Sequence, residues 1–275
     1  GGYMALLTDV FPTNDCSICV LGPKMSEVFN HSNITLYTYS EVLGVEGSVG
    51  NFTVSGVHRA RYVDPVLCKG CINECADVCP VEVPNEYDFG IGKRKAIYVP
   101  YPQAVPLSAC VDPKACIGCG RCVESCPTQA VKLDQVVEHF TINVGAIIVA
   151  TGWQPFDAAR KEEYGFGRLR DVVTTLQMER MLNASGPTKG EVVRPSTGQV
   201  AQSIAFLQCV GSRDATVGNI YCSRICCMAS LKNAQLIAEK YPGSDITIYY
   251  IDIRAGGEGY EEFYIRAQRL GINFV

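Results

Sequence analysis

Cys116-Ile117-Gly118-Cys119-Gly120-Arg121-Cys122-Val123-Glu124-Ser125-Cys126-Pro127 is the stretch on which the reading of this chain turns. Its four cysteines stand at C-x2-C-x2-C-x3-C spacing with a proline behind them, a pattern of thiolates that holds [4Fe–4S] clusters. Three thiolates on one tight loop reach three iron corners of a cube, and the fourth, past the turn, points to a second cube. Gly118 and Gly120 let the backbone come close to the sulfides. Zinc also accepts four thiolates, but its sites usually pair one CxxC with a distant CxxC.

Upstream lies a second run, Cys68-x2-Cys71-x3-Cys75-x3-Cys79-Pro80. The two runs belong to an internal repeat, because Val63-Asp64-Pro65-Val66-Leu67-Cys68 returns as Val111-Asp112-Pro113-Lys114-Ala115-Cys116. A short cysteine-rich module built twice is the signature of a two-cluster ferredoxin, and each half is too small to bury a core without its cluster. By the exchange of fourth ligands, one cluster takes Cys68, Cys71, Cys75 and Cys126, and the other Cys116, Cys119, Cys122 and Cys79. The first run carries one extra residue before Cys75, so its loop is expected to bulge. If that residue draws Cys75 away, the first cluster becomes three-iron or labile. Cys110 fits no ligand slot and reads as a small buried hydrophobe. Lys93-Arg94-Lys95 is either a solvated loop or a dock for an acidic electron carrier.

The chain as a whole fits a soluble globular protein of about two domains: 275 residues, 47% apolar, 19% charged, formal net charge −4. The mild acidity gives no support for nucleic acid as a partner. The longest apolar stretch, residues 145–150, is far short of the ~20 residues of a membrane span, so no transmembrane segment is expected. No secretory signal opens the chain. With no export signal, 15 cysteines grouped at short gaps read as metal ligands in a reducing cytoplasm. Gly1-Gly2-Tyr3-Met4 is an unusual opening and Gly271-Ile272-Asn273-Phe274-Val275 reads as the start of a strand, so an internal piece of a longer protein is expected.

Strands are expected at 34–39 and 51–54, with Gly44, Gly47 and Gly50 marking a turn region between them. Residues 145–152 read as a buried strand ending in a turn. A helix is expected over 171–184, with Val172, Leu176, Met181 and Leu182 among its apolar positions. A polar connection over 185–199 leads to a strand at 203–209, a helix at about 223–240 and a strand at 246–251. That order predicts a parallel α/β unit.

Cys209, Cys222, Cys226 and Cys227 follow no ferredoxin pattern. Cys209 ends the strand, and the other three gather at the expected start of the helix, where the positive end of the dipole favours thiolates. Arg213 and Arg224 add to that field. A third metal centre, buried free thiols and a redox pair all remain open readings. Cys16-x2-Cys19 is a lone CxxC: a redox disulfide, half a metal site, or a structural pair.

Taken together, the residues resemble the A-type subunit of heterodisulfide reductase, the iron–sulfur flavoprotein of methanogens and its bacterial relatives. The resemblance rests on Phe11-Pro12-Thr13-Asn14-Asp15-Cys16, Arg61-Tyr62-Val63-Asp64-Pro65 and Cys79-Pro80-Val81-Glu82-Val83-Pro84-Asn85-Glu86. It continues in Gly92-Lys93-Arg94-Lys95-Ala96-Ile97-Tyr98. The most distinctive stretches are Gln208-Cys209-Val210-Gly211-Ser212-Arg213-Asp214 and Tyr221-Cys222-Ser223-Arg224-Ile225-Cys226-Cys227-Met228.

The resemblance implies an α/β flavoprotein of the thioredoxin-reductase-like, two-dinucleotide-binding-domain type with an inserted α+β two-cluster ferredoxin domain. The implied division is a partial FAD-binding domain over 1–60, the ferredoxin insert over 61–135 and a return to the FAD-binding domain over 136–157. A second, degenerate NAD-type α/β domain then fills 158–275. It implies FAD contacts at Gly1, Gly2, Lys24, Thr151 and Gly152, and an additional [4Fe–4S] cluster on Cys209, Cys222, Cys226 and Cys227. The G-x-G-x-x-G that holds a pyrophosphate is missing from both α/β regions, which does not favour NAD(P) at 208–212.

The implied activity is flavin-based electron bifurcation, coupling disulfide reduction to ferredoxin. The implied partners are ferredoxin, a hydrogenase or formate dehydrogenase as electron donor, and heterodisulfide reductase subunits of B and C type. No acid–base or nucleophilic residue is identifiable, and disulfide cleavage belongs, by the resemblance, to a different polypeptide of the complex. The alternative is a non-enzymatic electron-transfer module, or a component of a related sulfur- or quinone-linked complex.

Overall fold

The computed structural model describes residues 2–275, so Gly1 lies outside the described residues. In chain order the elements begin with β1 (Asp9–Val10), β2 (Asp15–Cys16), α1 (Ser17–Asn30), β3 (Ser40–Ser48) and β4 (Asn51–His58). The cysteine-rich region holds α2 (Ile72–Ala76), β5 (Glu82–Pro84), β6 (Lys93–Lys95), β7 (Ile97–Tyr98), β8 (Cys110–Val111) and α3 (Arg121–Ser125). Then come β9 (Glu138–Val144), α4 (Thr175–Leu182), β10 (Ser203–Leu207), α5 (Cys226–Lys240), β11 (Asp245–Tyr249), α6 (Tyr260–Arg269) and β12 (Asn273–Phe274).

Two compact units result. One comprises the described residues up to Leu21, Asp88–Gly92 and Trp153–Val275; the other comprises Gly22–Tyr87 and Lys93–Gly152. The division at residues 60 and 135 that the resemblance implies therefore differs from the bounds of these two units. Sheet β3-β4-β9, drawn from both flanks of the cysteine-rich stretch, lies in the same unit as that stretch.

In the first unit, β10, β11 and β12 form a parallel sheet with Ile204 opposite Ile246 and Thr247 opposite Asn273. The expected strand–helix–strand order is thus a parallel β10–α5–β11 crossover. Met228, Leu231, Ala234 and Ile237 recur along α5 at a spacing of three residues and are buried with Ile246 and Ile248, which alternate on β11. Each such aliphatic side chain contributes roughly 1.5–3 kcal/mol on full burial. Ser230, Lys232, Asn233 and Gln235 of α5 are buried too, and they are polar. Lys232 is held by Glu179 of α4 at 2.6 Å, and Gln235 bonds the backbone carbonyl of Phe263 and the Arg266 guanidinium of α6.

The expected helix over 171–184 is shorter. Thr174 forms a capping box with Gln177, so the helix starts at Thr175 and leaves Val172 outside it.

In the second unit the two sequence repeats fold alike. The Asp64 carboxylate accepts from the N–H groups of Val66 and Leu67, and Asp112 does the same for Lys114. The backbone carbonyls of the same aspartates accept from Cys68 and Cys116, each at 2.9 Å. Val63, Ile97, Ala109, Val111, Ala130 and Val131 form a small core that also includes Cys75 and Cys122.

Three expectations fail here. Residues 34–39 form no strand: Tyr39 adopts a left-handed φ of 56°, which breaks the extended run, and pairing starts only at Ser40. Gly44 and Gly47 lie inside β3, not in a turn. A Cβ on Gly47 would stand 2.2 Å from the Asn51 carbonyl, so only glycine lets the hairpin close there. Residues 145–152 form no strand, and Ile148 is 92% exposed. Among the described residues no strand pairs with this segment, and a buried strand needs neighbours to take its N–H and C=O groups.

Candidate metal centres

Two cavities lie against the small core of the second unit. Cys116, Cys119 and Cys122 line the first together with Cys79 of the other repeat. Cys68, Cys71 and Cys75 line the second together with Cys126. Each cavity thus gathers three thiols from one repeat and one from the other, the grouping that an exchange of fourth ligands needs. The extra residue before Cys75 is absorbed locally. Helix α2 begins directly after Cys71, and Cys75, one turn on, is buried and still faces the cavity. In the second copy α3 starts two residues after Cys119, behind left-handed Gly120, and Cys122 falls on its second residue. Helices α2 and α3 pack against one another.

Backbone N–H groups approach the sulfurs. Ala109 donates to Cys68 at 3.5 Å, Gly118 to Cys116 at 3.4 Å and Ala130 to Cys126 at 3.3 Å. Burial, followed by the neighbouring Cys126, Cys68 and Cys122, pushes the Cys75 thiol up to about 12. Burial likewise raises Cys122. At Cys126 burial also acts upward, but N–H groups including that of Ala130 outweigh it and the thiol lies below its usual range. The thiols surround a volume instead of meeting at a point. Among the described residues no three His, Cys, Asp or Glu side chains converge on a single-ion site. A cavity ringed by four thiols and supplied with N–H donors fits a [4Fe–4S] cube, whose thiolate-ligated form is net negative.

Lys93-Arg94-Lys95 is an arm of a two-stranded sheet, and two of its charges are engaged. Lys93 pairs with Glu82 at 2.9 Å, and Arg94 is buried between Glu86 at 2.6 Å and Asp112 at 2.8 Å. Cys110 is 1% exposed, as expected of a small core residue.

The second cysteine group is assembled at the carboxyl end of the parallel sheet, where open α/β sheets place their ligands. Cys209 follows β10, and Cys226 and Cys227 open α5. Burial raises Cys209, and the Cys226 and Cys222 thiols raise it further. Cys227 is raised by burial and then by Cys226, Cys209 and Cys222, so the four thiols share one neighbourhood. The connecting backbone is strained: Cys209, Arg213 and Arg224 all have φ near +60°. Gly211 is φ +71°, and a Cβ there would stand 2.2 Å from the Phe156 ring.

Several residues that hold this site were not singled out in the sequence. Buried Ser212 donates to the Tyr221 carbonyl and accepts from the Ser223 N–H, tying the Cys209 end of the loop to the Cys222 end. The Thr216 hydroxyl and the Lys161 ammonium hold the Asp214 carboxyl down at about 2. After β11, Asp252 is ion-paired with both Arg213 and Arg254. Arg254 in turn feels Cys222 and Cys227. The available signal was position: Asp252-Ile253-Arg254 follows a strand parallel to the one that ends near Cys209, at the same sheet edge.

The positions read as flavin contacts take no part in these cavities. Gly2 opens a 3-10 helix, Lys24 is exposed on α1 and paired with Glu27 at 3.3 Å, and Thr151 and Gly152 lie in exposed coil. Cys16 and Cys19 are joined in a disulfide. No helix among the described residues is long and apolar enough to cross a membrane.

Two family models described as 4Fe-4S dicluster domain match residues 67–131 and 107–163. The chain is 59% identical over all 275 residues to the A-type subunit of the ferredoxin:CoB-CoM heterodisulfide reductase of Methanosarcina mazei, covering 35% of that protein. It is 53% identical over 275 residues to the A-type subunit of the H2:CoB-CoM heterodisulfide,ferredoxin reductase of Methanothermobacter thermautotrophicus, covering 42% of it. Over 276 aligned residues it is 52% identical to the A-type subunit of the H2/formate:CoB-CoM heterodisulfide,ferredoxin reductase of Methanococcus maripaludis, again 42% of that protein's length. At that identity along its whole length, the chain matches a segment spanning less than half of these A-type heterodisulfide reductase subunits.

Proposed function

We propose that this chain carries electrons within an oxidoreductase, as part of an A-type heterodisulfide reductase subunit that couples disulfide reduction to ferredoxin by flavin-based bifurcation. The observation that carries the reading is the distribution of thiols around the two cavities, three from one repeat and one from the other in each. Cys68, Cys71, Cys75 and Cys126 hold one [4Fe–4S] cluster; Cys116, Cys119, Cys122 and Cys79 hold the second. Cys209, Cys222, Cys226 and Cys227 hold a third of non-ferredoxin type. When bound, such clusters exchange electrons singly, and FAD in the complete protein exchanges them in pairs.

The chain's own residues position and tune. The N–H groups of Ala109, Gly118, Ala130 and, at the third site, Arg224 stabilise charge on sulfur. Gly1, Gly2, Lys24, Thr151 and Gly152 are the proposed flavin contacts. In this reading residues 1–60 and 136–157 belong to the FAD-binding domain and 158–275 to a second dinucleotide-type domain without NAD(P). Ferredoxin, a hydrogenase or formate dehydrogenase donor, and subunits of B and C type are the proposed partners in a cytoplasmic complex. The names of the relatives, which mention ferredoxin, H2 and formate, support this part.

The test is an exchange of defects. Cys79→Ser is expected to remove the paramagnetic signal of the cluster on Cys116, Cys119 and Cys122, and Cys126→Ser that of the other. Iron and acid-labile sulfide counts of about twelve per chain, at four per cube, are expected in the wild type and about eight in either variant. Loss in each variant of the cluster on its own repeat would overturn the assignment.

A further inference from the structure

We propose that the Cys16–Cys19 disulfide is a reversible two-electron couple, opened by thiol–disulfide exchange with a dithiol donor, with Asp9 carrying the proton for Cys16.

A structural role has little to offer here, because a bridge across three sequence positions restrains only a short loop. The turn is already closed without it: Asn14 N–H donates to Val10, Ser17 N–H to Thr8 at 3.0 Å, and the buried Ser17 hydroxyl to Met4 at 2.5 Å.

The surroundings suit exchange chemistry. Cys16 stands directly before the first residue of the 14-residue helix α1, and Cys19 is the third helical residue. The positive end of that helix favours the thiolate form of a departing Cys16. Cys19 is exposed and Cys16 half-buried, so an incoming thiolate has access to one sulfur. In the β1–β2 ladder Asp9 is directly opposite Cys16, which puts both side chains on one face of the hairpin. The charged groups that face Asp9 are Lys232 of α5, Glu179 of α4 and Asp15 of β2. Lys232 is already committed to Glu179, at 2.6 Å, and burial leaves the Asp9 carboxyl above its ordinary range.

The step balances. One thiolate of the donor attacks Cys19 Sγ and the Cys16–Cys19 bond breaks, so Cys16 leaves as a thiolate and takes the proton of Asp9. The donor's second thiol, losing its proton to Asp9, attacks its own sulfur in the mixed disulfide and releases Cys19, which is protonated from solvent by the proton the first thiol gave up. Two electrons and two protons enter the pair, and the donor becomes a disulfide. The assignment does not depend on the cluster ligands.

The test uses the full chain with its clusters loaded, under anaerobic conditions. Samples equilibrated in buffers of reduced and oxidised dithiothreitol are quenched with acid and alkylated, and the peptide holding Cys16 and Cys19 is weighed. The expected result is one two-electron transition between a closed pair and a doubly alkylated pair, with iron content unchanged. Cys19→Ser is expected to abolish the transition. Asp9→Asn is expected to slow opening about tenfold or more, while Asp9→Glu restores it. Divided by donor thiolate concentration, the wild-type opening rate is expected to fall as pH rises and the Asp9→Asn rate to stay flat. A pair that stays closed across the whole range, or thiols that react only after iron is removed, would overturn the couple. An unchanged rate and profile in Asp9→Asn would overturn the part given to Asp9.

Discussion

Arg254 is the residue through which the third thiol group and the rest of its unit communicate most directly. Its guanidinium lies close enough to feel Cys222 and Cys227, and Asp252 links it to Arg213, which eases the charge on Cys209. A positive charge near a cluster favours the electron-rich state. Arg254→Gln is therefore expected to lower the reduction potential of the cluster proposed on Cys209, Cys222, Cys226 and Cys227 by on the order of tens of millivolts, since the side chain is partly solvated. Potentiometric titration followed by electron paramagnetic resonance would show it, with the two ferredoxin-type clusters as internal controls. A potential that does not move would remove Arg254 from the site.

Helix α4 shows how a short element is held by charge in a closed space. Glu179 and Lys232 are almost wholly buried, and Lys232 also donates to the Asp9 carbonyl at 2.9 Å while Glu179 accepts from the Thr8 N–H at 3.1 Å. Glu179→Gln leaves an ammonium without its counter-charge and is expected to cost about 3–5 kcal/mol in denaturant unfolding. Replacing both members with apolar residues of similar size is expected to restore much of the loss, which separates the pair's own worth from the damage of halving it. The same elements show what was readable in advance. The parallel β10–α5–β11 unit was legible because apolar periods of two and of about three residues mark buried faces. Around each cavity the thiols gather as the ferredoxin exchange of fourth ligands leads one to expect, three from one repeat and one from the other. The Glu179–Lys232 pair was not, since two polar residues 53 positions apart carry no local signal of meeting. Ser212, Asp252 and Arg254 escaped for the same reason: their roles are set by hydrogen bonds that only the tertiary fold brings together. Residues 34–39 misled because β-propensity describes fitness for a sheet, and here no strand is offered to pair with.

At the scale of the molecule the two units rest on different supports. The first has an aliphatic core of helices on a parallel sheet, and the second counts cysteines among its few buried side chains. Removal of iron with a chelator is therefore expected to raise hydrogen exchange across residues 61–135 while α5 and β11 stay protected. Equal loss of protection in both would mean that the clusters do not hold the second unit together. Residues 146–149, Ala-Ile-Ile-Val, lie in the unpaired segment with Ile148 and Val149 largely bare. Short, uncharged, branched segments of this kind template one another when left open. Material of this length, concentrated on its own, would consequently tend toward precipitation through this tetrapeptide, and a crystallographer would do well to shield it before setting drops.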